Sequence, residues 1–248
     1  MATANPAMNE AVYRRAGRAF AAAQVMTIQG TVLKTAILLV ILLAVAVYTW
    51  SQAIAGSPLA YGSLMVGCIG GFVVALLTIF VPKAAPVTAP IYAALEGLFL
   101  GAISAVFERM YPGIAIKAVG LSIGVLAIML FVYGTGIIRV TEKIKIGIVA
   151  ATGAICLVYV VDIVASFFGT RLPFIHESGL LGIGFSLFVV VIAALNLVLD
   201  FDFIERGVNM QAPKYMEWYG GFSLLVTLVW MYLEILRLLA KVQGGSRN

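Results

Sequence analysis

Carboxylates stand inside the apolar runs of this chain. In the stretch N-L-V-L-D-F-D-F-I-E-R, Asp200 and Asp202 close one long apolar segment, Glu217 opens the next and Glu234 lies deep within it. Glu96 occupies the middle of an earlier run and Asp162 the second half of another. An ionisable group in hydrocarbon is costly, so each is a candidate for an ion path, a proton relay or a buried structural pair. Glu96 lies about nine residues into its segment, or roughly 13 Å along a helix, close to the bilayer midplane. Beside it Ala93, Gly97 and Gly101 form a small-residue stripe at four-residue spacing, a signature of close helix packing. Glu96 is therefore expected to face the bundle interior, either handling ions or protons or serving as a hydrogen-bonded structural acid.

Asn196 and Asp200 are four residues apart, which predicts one shared helix face and one shared neighbour. Lys83, at the end of the second apolar segment, is expected at the same depth, where it would form a pH-sensitive latch with Asp200. In the plainer alternative Asp200 and Asp202 sit in headgroup water at a helix end. Asp202 falls on a different face. Tyr159 and Ser166 are the polar helical neighbours of Asp162, and Glu234 with Arg237, three residues on, forms a predicted structural pair near the outer surface.

Other chemistry lacks its residues. The single histidine, His176, lies in a loop beside Glu177, so H-E-x-x-H zinc chemistry is absent and an intramembrane Ser–His dyad has no base. There is no phosphate-binding glycine loop. With the last span expected to end at Leu239, no lysine in its second half could carry a Schiff base. The chain is thus read as a non-enzyme without a cofactor, calcium being at most a permeant or transiently bound ion.

The elements that must position these groups follow from composition. Hydrophobic residues are 62% of the 248 and charged residues 11%, against roughly 45–50% and about 25% in soluble domains, which makes this an all-α polytopic membrane protein. The length suits seven spans of about 20 residues or more. They are expected at about 32–54, 61–81, 87–107, 114–138, 146–168, 180–199 and 215–239, within a bundle over 32–241. Residues 1–31 form a cytoplasmic tail, able to make a short amphipathic helix or simply supplying positive charge, and 242–248 a C-terminal tail. Cys68 and Cys156 fall in apolar segments and are expected as buried thiols. Trp50, Trp218 and Trp230 are expected as interfacial anchors. The net charge of +5 records topology and attraction to anionic lipid headgroups rather than nucleic acid. With the N-terminus cytoplasmic, ten Lys and Arg residues fall on that side, among them Arg14, Arg15, Arg18, Arg139 and Lys83. Six, including Arg109, Arg171, Lys241 and Arg247, fall on the other, which favours that orientation.

Three stretches together carry a resemblance: L-E-G-L-F-L-G-A-I-S around Glu96, V-L-D-F-D-F-I-E-R around Asp200, and Y-L-E-I-L-R-L-L-A-K near the end. Over its last two-thirds the chain resembles the Bax inhibitor-1, or transmembrane Bax inhibitor motif, family, and in particular its bacterial YccA-like branch. The resemblance implies a seven-helix bundle with the last helix held centrally by the other six, and a calcium leak governed by pH through paired aspartates on the sixth and seventh helices. It implies residence in the bacterial inner membrane. It places the first aspartate on Asp200, with Ile204 following, and the basic latch on Lys83. At the second aspartate this chain has Thr227, so the pair is incomplete: either the pH-gated mechanism is altered or lost here, or Glu96 or, less favourably, Glu217 completes it. Glu96 and Asp200 would then be transient calcium ligands. The competing reading is a non-conducting regulator that binds other membrane proteins in stress response or quality control.

Overall fold

A computed structural model describes residues 25–57, 59–138, 140–170, 172, 175 and 177–245. The expectations placed on the basic N-terminal tail, on Arg139, Arg171 and Arg247, and on His176 lie outside the described residues.

Seven helices long and apolar enough to cross a membrane make up the described chain. They are α1 (Ile28–Ile54), α2 (Leu59–Phe80), α3 (Ala85–Met110), α4 (Ile114–Gly134), α5 (Glu142–Phe167), α6 (Leu180–Asn209) and α7 (Met216–Gly245), with a 3-10 turn, Pro82–Ala84, before α3. A helix satisfies its own backbone groups, and long apolar runs separated by short polar turns take that form in lipid. Local signals set the ends. The Thr27 side chain accepts from the Gly30 amide at 2.9 Å to start α1, and the Thr141 side chain from the Ile144 amide at 3.4 Å to start α5. Gly113, at φ 81°, makes the left-handed turn into α4, and its amide donates to Glu108 at 2.6 Å.

The predicted boundaries shift most at the two ends of the acidic stretch. α6 runs to Asn209 rather than 199, carrying Asp202, Glu205 and Arg206 as helix, and α7 reaches Gly245. Asp202 and Arg206, one turn apart, pair at 2.7 Å, and a cation suits the last turn, so the helix continues past the apolar segment. The N-terminal boundary shifts too: Met26 donates its amide to Ala212 at 2.7 Å, docking residues 25–27 on the α6–α7 turn, and α1 begins four residues before 32.

The last helix is the centre of the bundle, though not by touching all six others equally. α7 has the largest buried share of any span and packs along α1, α3, α4 and α6. It reaches α5 through side chains, while α2 packs mainly on α3. Small residues set those approaches. A Cβ on Gly97 would lie 2.6 Å from the Leu42 carbonyl oxygen and one on Gly101 2.3 Å from that of Ala46, so α1 and α3 meet backbone to backbone. Gly67 on α2 lies equally close to Leu95 and Phe99 of α3. The Ala93–Gly97–Gly101 stripe is thus the α1–α3 seam. Cys68 and Cys156 are exposed rather than buried, because the outer faces of α2 and α5 meet lipid, which takes a thiol as readily as a core does. Trp230 packs with Ile155, Val189 and Ile192 inside the bundle instead of anchoring at the interface.

Candidate functional site

Asp200 lies between α6 and α7, and hydroxyls hold it there. Ser223 donates to its Oδ1 and Thr227 to its Oδ2, each at 2.6 Å. Ser223 and Thr227 are four residues apart, one turn of α7, so the two hydroxyls stack on the face turned to α6. Thr227, which seemed to leave Asp200 without a partner, is one of its two partners. A hydroxyl does here what a second carboxylate cannot do without a shared proton: it donates to an ionised acid.

The acid pair expected between Asp200 and Glu96 does not form. Glu96 projects from α3 toward α2, where a Cβ on Gly71 would meet its Oε1 at 2.9 Å, and it lies within hydrogen-bonding reach of the Tyr92 hydroxyl one turn earlier. The Tyr92 ring in turn meets Phe222 edge-on, with centroids 5.0 Å apart, and Phe222 precedes Ser223. Asn196 does not share a neighbour with Asp200 either. Its amide donates at 2.8 Å to Thr152 of α5 and to the Ile192 carbonyl. Four residues advance a helix by about 40° beyond a full turn, enough to aim one side chain at α5 and the other at α7.

Lys83 is exposed on the 3-10 turn, and among the described residues it makes no ion pair with Asp200. The predicted latch is therefore not closed in this conformation, in which the Asp200 oxygens face α7. Asp202 belongs to a surface network, pairing with Arg206, which also reaches Glu142 at 3.6 Å.

The remaining acids hold the bundle together. Glu217, 1% exposed, accepts from the Thr27 amide at 3.1 Å and the Thr27 hydroxyl at 2.9 Å, tying the start of α1 to the start of α7. Asp162, buried in α5, accepts from the Leu172 amide at 2.9 Å and fixes the loop after its helix, while Tyr159 and Ser166 bond elsewhere. Glu234, 2% exposed, accepts from Arg237 at 2.9 Å and from Tyr159 at 2.8 Å, so the predicted pair becomes a triad. Sequence reasoning missed Tyr159 here, because its partner lies 75 residues away on another helix.

It also missed Lys241, whose ammonium is buried and donates to the Gly182 carbonyl at 2.9 Å and the Ser186 hydroxyl at 2.8 Å. A lysine in the second half of the last span therefore exists, contrary to the sequence reading. Both its hydrogen bonds bind it to α6, so it clamps the C-terminal end of α7 to the N-terminal end of α6.

No group of three or more His, Cys, Asp or Glu side chains able to hold a metal occurs among the described residues. Calcium takes about six to eight oxygens. Two carboxylate oxygens and two hydroxyls meet at Asp200, fewer than that.

Neither a curated protein nor a solved structure gave a match. The family model described as Bax inhibitor 1 like matches residues 5–244, well beyond the last two-thirds that carried the sequence resemblance. Seven membrane-length helices, the last of them central, agree with that match over nearly the whole chain, and the protein belongs to the Bax inhibitor-1-like family.

Proposed function

We propose that this membrane protein is a pH-sensitive calcium leak of the Bax inhibitor-1 type, resident in a bacterial inner membrane with its N-terminus cytoplasmic. The observation that carries the reading is the Asp200 carboxylate bridging α6 to the central helix through Ser223 and Thr227. The ionised carboxylate accepts from both hydroxyls at once. A protonated carboxyl must donate its own proton, so one hydroxyl has to turn away, back to a carbonyl of its own helix. Protonation thus weakens one of two bonds across the α6–α7 seam, and the Tyr92–Phe222 contact carries the adjustment toward Glu96. In this reading Lys83 is the cation that would pair with Asp200 once α6 and α7 part. Calcium passing the seam would meet Asp200, while Glu96, turned toward α2, stands apart from that passage.

The test is calcium entry into proteoliposomes containing the purified protein. The unmutated protein should admit calcium in a pH-dependent way, and Asp200→Asn, which cannot ionise, should remove that dependence. Flux that ignores pH in the unmutated protein would overturn the proposal. The second reading, a non-conducting regulator of other membrane proteins, draws on the intramembrane partners that Asp200, Glu217 and Glu234 already have within the chain. It requires flux no greater than that of empty liposomes.

A further inference from the structure

A cavity of about 560 Å³ opens between α1 and α4 and is floored by α3 and α7. The two walls do not pack on each other, so the opening leads from the lipid-facing surface to the central helix. Its lips are apolar and exposed, with Val47 64% and Ile123 61% accessible. The polar atoms of its floor, and Ser122 on the α4 wall, are already used. Ser104 bonds to the Leu100 carbonyl and to Tyr232, Ser122 to the Ala118 carbonyl, and Glu108 accepts from the Gly113 and Ala115 amides. The floor therefore offers no open donor to water or an ion.

Length identifies the occupant. The groove runs along α1 from Leu39 to Trp50 and along α4 from Ala115 to Leu126, each about 16 Å at the helical rise. That is about half of a ~30 Å hydrocarbon core, the depth of one leaflet. Trp50 and Glu108 mark its headgroup end, with Lys117 exposed at the same end of α4. We propose that this groove is a binding site for one acyl chain of a phospholipid from the leaflet at the C-terminal end of α1, lying against α7. The volume falls within the roughly 300–1,000 Å³ of ligand clefts.

The experiment uses the full chain in nanodiscs doped with a phospholipid bearing a photoactivatable diazirine in mid-chain, followed by mapping of the labelled peptides. The label is expected to concentrate on 39–50 of α1 and 115–126 of α4. Val119→Trp, which fills the groove, should lower that labelling by at least about tenfold, a difference of ~1.4 kcal/mol, while Val160→Trp on the exposed face of α5 leaves it unchanged. Label spread over α2 and α5 in proportion to their exposure in the unmutated protein would overturn the site whether or not the variants fold. So would groove peptides left unlabelled in the unmutated protein, a dimer in native mass spectra of the same nanodiscs then pointing to a second copy as the occupant.

Discussion

Replacing Thr227 by valine keeps the side chain's shape and removes one O–H. The hydroxyl lost donates to Asp200 at 2.6 Å, and Thr227 is 8% exposed, so little solvent can replace it. A hydrogen bond to a charged group contributes about 1.5–3 kcal/mol, so Thr227→Val should destabilise the fold by that amount at neutral pH. Most of the loss should vanish when Asp200 is already alanine, because the acceptor is then gone. Reversible unfolding of the four proteins of this cycle in mixed micelles gives the coupling directly. It should reach about 1.5–3 kcal/mol, and should shrink as pH falls through the titration of Asp200, since a protonated carboxyl no longer accepts from both hydroxyls. The same variant should alter the pH dependence of calcium entry while leaving the bundle folded. A coupling below about 0.5 kcal/mol, within the error of additivity, would refute the hydroxyl latch and the switch built on it.

Four further outcomes follow from the packing. Gly101→Ala sets a Cβ 2.3 Å from the Ala46 carbonyl oxygen and should cost about 1–3 kcal/mol in micelle unfolding, whereas Gly120→Ala meets nothing within 4 Å and should cost nothing. Arg237→Ala leaves Glu234 buried without its cation; a loss of about 3–5 kcal/mol is expected, and Glu234→Gln in the same background should recover part of it. Glu217→Ala strips the Thr27 amide and hydroxyl of their acceptor, so faster hydrogen exchange should appear at the start of α1 before any change at α4. Thr49→Val removes the one buried side-chain oxygen that lacks a partner among the described residues and should raise stability by about 1 kcal/mol in the same assay.

The residues differ in how far their roles could be read without coordinates. Seven spans, the Gly97–Gly101 seam and the Glu234–Arg237 pair were legible because each depends on composition or on neighbours three or four positions away, which a helix brings together unaided. The extra helical turns of α6 were less so, since polar residues past an apolar run read as a turn until Asp202 and Arg206 are seen to pair. Partners across helices were not legible at all. Asp200 meets Ser223 and Thr227, Glu217 meets Thr27 and Lys241 meets Ser186 only because α7 threads the centre and is rotated to one particular face. A chain that is apolar on nearly every face carries little record of that rotation. In water the polar face of a helix points outward and reveals it, but in lipid both faces are apolar, and small residues and hydrogen bonds decide which way each acid turns. The residue types therefore determined that this protein crosses a membrane seven times with acids inside it. The tertiary packing decided that Asp200 is completed by hydroxyls and that Glu96 faces elsewhere.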